Sequence, residues 1–181
     1  MKKKNVLILS IIAIVIIGVV ISNIMVSKHT QVLMQTSKGD IVLEIYTGEM
    51  PITGGNFVKL VNEGFYDGVI FHRVINGFMI QSGDPTSTGR GGPGYVIKDE
   101  FTGTDLDQND RGTISMANSG PNSGGSQFFI NLADNNFLDG KHPVFGKVVE
   151  GLDVVDSIAT TETNSEDRPI EEVKIINARV I

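Results

Sequence analysis

The chain has 181 residues, 15 Lys+Arg against 21 Asp+Glu, and no cysteine. That length allows one domain with an appendage, and the lack of thiols excludes a disulfide framework and a lipoprotein thioether. Lys2, Lys3, Lys4 and Lys28 precede residue 29 while every acidic residue follows it, so the remainder carries a formal charge of −10 (11 against 21), which argues against nucleic acid or anionic lipid as a partner.

The three N-terminal lysines lead into an apolar run over 6–26, 21 residues long. A helix of that length crosses a hydrocarbon core of about 30 Å at about 1.5 Å per residue. Three lysines before it, against Lys28 after it, orient the N-terminus inside and the rest of the chain outside. The run exceeds the h-region of a secretory signal, and Val20-x-Ser22 is a poor substitute for a small-residue cleavage site. Residues 1–28 are therefore expected to be an uncleaved transmembrane helix, with a cleaved signal and secretion as the alternative. Residues 29–181 are the expected extracytoplasmic domain.

Residues 32–36 and 40–46 alternate apolar and polar around Ser37-Lys38-Gly39, the pattern of a β-hairpin. Residues 51–63 read as a helix. Pro51 suits its first turn, Phe57, Leu60 and Val61 share one face, and Gly64 stops it. Gly54 and Gly55 each cost about 1 kcal/mol relative to alanine inside a helix, which predicts a late start. Short strands are expected at 69–74, 79–81, 95–97, 113–116, 127–131 and 144–149. A second helix follows at 152–158 and a last strand at 173–180, with 160–168 a solvated polar loop without function. Many short strands and two helices point to a mainly β fold, a closed antiparallel barrel.

Four segments stand out together: FHRVINGFMIQSGDP at 71–85, MAN at 116–118, SQFFI at 126–130 and NFLDGKHPVFG at 136–146. In order and spacing they closely resemble the cyclophilin family of peptidyl-prolyl cis-trans isomerases, and the resemblance covers about 32–181. It implies an eight-stranded barrel capped by a helix at each end, proline-containing polypeptides as substrates, no cofactor, and a monomer as the default state. The shorter loops and Phe137 also look more like bacterial members.

An X-Pro bond turns slowly because its C–N bond has partial double-bond character, with a barrier of about 20 kcal/mol. Twisting removes amide resonance and leaves the nitrogen pyramidal. A catalyst therefore needs an apolar slot for the proline ring, a donor aimed at the nitrogen or carbonyl that changes, and a clamp on the flanking backbone. Only contacts stronger in the twisted state raise the rate.

Arg73 is the candidate donor, since its guanidinium stays charged and presents several N–H groups. The arginine at this position is the main catalytic group in the resembled family. The resemblance further implies a proline slot of Phe78, Met79, Phe129 and Leu138 with His142 at its wall. Gln81 is expected to orient Arg73 by a side-chain hydrogen bond, Ala117 and Asn118 to pair with substrate backbone, and Gln127 to lie near the carbonyl. His72 reads as pocket rim, because isomerisation moves no proton and a strand would turn His72 and Arg73 to opposite faces. Phe137 replaces the tryptophan that helps many eukaryotic members hold cyclosporin. It keeps the apolar contact and lacks the N–H donor, so cyclosporin binding is expected to be possible but weak.

Three scattered histidines without cysteine form no metal-ligand pattern. Gly89–Gly94 formally fits G-x-G-x-x-G, but Pro93 and a following strand contradict the strand-to-helix setting a dinucleotide site needs. An active isomerase assisting exported proteins is the leading reading. A non-catalytic module gripping proline segments on the same barrel is the alternative.

Overall fold

The computed structural model describes residues 29–181, so the expected transmembrane helix lies outside the described residues. Among the described residues no helix is long and apolar enough to cross a membrane. Eight strands form one antiparallel sheet: β1 Thr30–Thr36, β2 Gly39–Ile45, β3 Arg73–Ile75, β4 Met79–Ser82, β5 Thr113–Met116, β6 Phe128–Asn131, β7 Val144–Glu150 and β8 Ile175–Val180, in spatial order β3-β4-β6-β5-β7-β2-β1-β8. The expected hairpin is β1–β2, with Thr36 opposite Gly39 across a two-residue turn. Ile41, Leu43 and Ile45 are completely buried, and Val42 on the opposite face is buried as well.

Register shifts at Gln35/Thr36, Val42/Leu43 and Ile114/Ser115 curl the sheet, as bulges do by adding local twist. Its two edges meet but do not form a ladder. They are joined by the single bridge Ile70↔Lys174, flanked by hydrogen bonds from Phe71 N to Val173 O and from Ile175 N to Val69 O, both 2.8 Å. The expectation of a closed barrel is thereby corrected to an open one. The reason is local: β3 has only three residues, and its Val74 N–H is taken by Asp167 O at 2.8 Å. The strand expected at 69–74 is divided for the same reason, into this bridge and β3. The strand expected at 95–97 reduces to one bridge, Ile97↔Gly124, and Val96 is 65% exposed.

Helix α1, Thr53–Asn62, starts after Pro51. Its first N–H groups lack a local side-chain cap and are satisfied instead by Glu100 Oε2, which accepts from Ile52 N at 3.0 Å and Thr53 N at 2.9 Å. The carboxylate also lies at the positive end of the helix dipole. Gly54 has a packing reason: a Cβ there would sit 3.1 Å from Ile45 Cγ2. Phe57 carries this helix into the core, with ring centroids 5.0, 5.5 and 5.3 Å from Tyr66, Phe128 and Phe145. Helix α2, Leu152–Ala159, buries Val155, Ile158 and Ala159. Helix α1 packs on β7 and β8, and α2 on β2, β3 and β4.

Candidate active site

The floor of the site is set by strand register. Arg73 pairs with Gln81, Gln81 with Phe129 and Phe129 with Ser115 across β3, β4, β6 and β5. Residues directly opposite share a face, and successive residues along a strand alternate. The adjacent row, Val74, Ile80, Ile130 and Ile114, is no more than 2% exposed and belongs to the main core. Burying that row turns Arg73, Gln81 and Phe129 to the other side of the sheet. Arg73 is left 44% exposed, and Phe129 lies under His142, the two rings meeting edge-on with centroids 5.4 Å apart. His142 is fixed in turn by Nδ1, 3.1 Å from Met116 O.

Next to Phe129 on this face, a buried polar network holds the apolar residues. Asn131 Nδ2 donates to Thr113 Oγ1 at 2.9 Å and to Ser115 Oγ at 3.2 Å. Asn135 Nδ2 donates to Asn131 Oδ1 and to Phe78 O, both at 2.8 Å. Ser115 Oγ donates to Asn109 Oδ1 at 2.7 Å, and Asn109 donates to Asp139 Oδ1 through N at 2.8 Å and Nδ2 at 2.9 Å. Buried amides need partners of this kind, and here the partners link Phe78 to the one-turn 3-10 helix Asn136–Leu138. On that turn Phe137 stacks over Phe78 at 5.9 Å with 21° between planes. Phe137 stays 63% exposed, Leu138 is half-buried, and Met79 is buried beneath.

The loop after β4 folds back beside this floor. Asp84 is fully buried and accepts from Thr86 N at 2.7 Å, Thr86 Oγ1 at 2.7 Å and Thr88 N at 3.0 Å, with further backbone donation from Gly91 and Gly89. Burial pushes its pKa up, but the donors together outweigh burial and hold the carboxyl far below its ordinary value. A Cβ on Gly91 would collide with the Asp84 carboxylate, so glycine is needed where the loop closes on its anchor. The glycine run of 89–94 thus serves a groove wall. The groove has a volume of about 650 Å³ and is lined by Gln81, Ala117, Asn118 and Gln127 among others.

Gln127 bridges loop and floor, with Nε2 donating to Gly89 O at 3.0 Å and Gly91 O at 2.9 Å. Its Oε1 accepts from Gln81 Nε2 at 2.9 Å. The amide of Gln81 is thus held by Gln127, and Gln81 Oε1 is the atom that could accept from Arg73. Ala117 N donates to Gln127 O at 3.0 Å, and Asn118 Nδ2 to Lys141 O at 2.8 Å. Both therefore use these donors within the fold.

A second cavity, about 600 Å³, contains His72, Arg73 and Gln81 together with Thr86, Thr88, Glu166 and Arg168. Strand β3 begins at Arg73, with His72 just before it, and both border this cavity. His72 is 7% exposed, and neither ring nitrogen has a hydrogen-bond partner among the described residues. Burial lowers its pKa, outweighing the opposite pull of Asp84, so the ring is neutral at neutral pH.

The residues missed by the sequence reading are on the loop taken as merely solvated. Asp167 Oδ2 lies 3.5 Å from Arg73 Nε, and Arg168 donates through Nη1 to Ser87 O at 2.6 Å. No local pattern marks them, because only the fold brings this loop against β3.

The profile described as "Cyclophilin type peptidyl-prolyl cis-trans isomerase/CLD" matches residues 31–180. Peptidyl-prolyl cis-trans isomerase ppi1 of Schizosaccharomyces pombe is 54% identical over 148 residues, covering 80% of this chain and 95% of that protein. The crystal structure of a Cryptosporidium parvum cyclophilin type peptidyl-prolyl cis-trans isomerase superposes with a TM-score of 0.80 at 34% identity, over 84% of this chain and 98% of that one. A structure of the same protein in the presence of the dipeptide Ala-Pro gives 0.79 at 34% identity, over 83% and 98%. The chain belongs to the cyclophilin-type family of peptidyl-prolyl cis-trans isomerases. Isomerisation of X-Pro bonds is the activity this membership carries. These relatives are eukaryotic, so the likeness to bacterial members draws no support from them.

The Asp84 anchor has a pH signature. A carboxyl depressed on folding contributes its full stability above its unfolded value of 3.8, and loses it as pH falls below that value towards the folded one. In urea unfolding, the stability gap between wild type and Asp84→Asn is expected to stay level from about pH 8 to about pH 5 and to narrow below about pH 4. A gap independent of pH would show that the loop does not depend on the carboxylate charge.

Proposed function

We propose that Arg73 is the donor that stabilises the twisted X-Pro bond, with the proline ring seated among Phe78, Met79, Phe129, Leu138 and His142. The observation that carries this reading is the common row of Arg73, Gln81 and Phe129 on one face of adjacent strands. A charged donor beside an apolar wall meets what the transition state presents: a hydrophobic ring and a nitrogen whose lone pair resonance no longer holds. In the planar ground state that lone pair is delocalised, so the contact strengthens only on twisting and raises the rate. The groove lined by Ala117, Asn118 and Gln127 would hold the adjoining backbone, with His72 at the rim of the neighbouring cavity as a neutral group.

The dipeptide Ala-Pro, present with the Cryptosporidium protein, supports proline-containing peptides as the substrate class here. The apolar run over 6–26 and its lysines support a membrane-tethered domain acting outside on exported polypeptides. The alternative is release after signal cleavage. The exposed, stacked position of Phe137 supports weak cyclosporin binding, since the ring is presented at the slot without an indole donor.

Three outcomes check these statements. In an isomerisation assay with the full chain in detergent, Arg73→Ala is expected to lose about a hundredfold or more in kcat/KM while retaining its circular dichroism spectrum. Retained proline-peptide binding by a wild type that accelerates nothing would make the barrel a binding module. Phe137→Trp is expected to tighten cyclosporin about threefold to tenfold, the yield of one net hydrogen bond, and unchanged inhibition would remove the donor argument. Protease added outside intact cells is expected to digest the domain without prior lysis, and protection until lysis would place it inside.

A further inference from the structure

We infer that Asp167 is the positioning residue for Arg73. This rests on Arg73 being the donor and adds the group that aims it. Gln81, the sequence-based choice for that task, uses its Nε2 on Gln127 and makes no hydrogen bond to Arg73 among the described residues. Asp167 approaches Arg73 from the opposite side, with Oδ2 3.5 Å from Nε. Nε lies at the stem of the guanidinium, so a carboxylate held there leaves the two terminal nitrogens free to face a substrate.

The carboxylate is carried by a built turn. Asn164 Oδ1 accepts from Glu166 N at 2.9 Å and Arg168 N at 3.1 Å. Asn164 N donates to Arg168 O at 2.8 Å, and Asp167 N to Asn164 O at 3.1 Å. Below this, Thr163 and Pro169 form a bridge. The turn is then fixed to the site at two points: Val74 N donates to Asp167 O at 2.8 Å, and Arg168 Nη1 to Ser87 O at 2.6 Å. Within it Asp167 has φ +61°, in the left-handed region. A non-glycine residue persists there when its surroundings over-determine it, and such positions cluster at functional sites. A surface ion pair of two half-exposed groups adds little stability, so the local order of this turn is better matched to aiming a side chain than to holding the fold.

The test separates charge, backbone and aim. Asn tolerates the left-handed region and removes the charge; Gly tolerates it and removes the side chain. Asp167→Asn and Asp167→Gly, made in the full chain, are expected to lower kcat about threefold to tenfold with KM changed less than about twofold. Both should leave the thermal midpoint near that of wild type. In an Arg73→Lys background the Asp167→Asn effect is expected to vanish. The Arg73 Nε–H resonance in a nitrogen-proton spectrum should shift and exchange faster in Asp167→Asn. An unmoved Nε–H resonance overturns the pairing. A moved resonance with unchanged kcat overturns the positioning role, as does an equal loss in the Arg73→Lys background. If Arg73→Lys itself costs nothing, the donor assignment fails instead, which the resonance reports separately.

Discussion

The two-residue period of β-structure governs this molecule. On the four strands β3, β4, β6 and β5, one row of side chains must be buried for the domain to fold: Val74, Ile80, Ile130 and Ile114. The same period then fixes what stands on the reverse side. A slip of one residue on β3 or β4 would send Arg73 or Gln81 into the core and a core residue out, exchanging a full apolar burial of about 1.5–3 kcal/mol for a buried polar group. Fold stability and site geometry therefore have a common origin, and the site cannot drift while the core stays packed.

The reverse face is not solvated like the outer face of an ordinary barrel. Asn109, Ser115, Asn131 and Asn135 are at most 4% exposed and satisfy one another, or neighbours, through a connected set of hydrogen bonds. A half-satisfied network would cost more than an apolar layer, and a complete one specifies a single arrangement. The apolar residues Phe78, Met79 and Phe129 stand beside this polar layer, which links β5 and β6 to the 136–138 turn. Opposite, the depressed Asp84 carboxyl organises the groove wall. The apolar cluster and the groove are thus held by two unlike devices, a neutral amide lattice and a buried anion.

Much of this was readable from residues alone. Alternation gave the β1–β2 hairpin with its buried Ile41, Leu43 and Ile45, and the 3.6 period gave α1 to within a few residues. The four segments located Arg73 and the apolar cluster, because each lies within a few residues of a strand that carries it. Three things were not readable, each for a stated reason. The run Val69-Ile70-Phe71 looks like strand because it is buried, yet it is buried by one bridge and not by a ladder. Gly54 and Gly55 looked like helix faults, and Gly54 has a packing reason that no helical pattern shows: Ile45, on strand β2, would come within 3.1 Å of a Cβ there. Asp167 sits in a stretch whose polarity says only "loop", and its meeting with Arg73 depends on the way the two sheet edges approach.

The strand order also bears on how the chain can be assembled. Strand β1, the first of the described elements, lies between β2 and β8, and Val32 is paired with Val180. Contacts so distant along the chain carry a large loop-closure entropy and slow folding. On a ribosome, where residues emerge in order, β1 and β2 can pair early, but the other edge of β1 remains an open template until the last strand has left the exit tunnel. Such edges recruit foreign strands. A member of a family that isomerises X-Pro bonds thus cannot complete its own sheet until residue 180 has emerged.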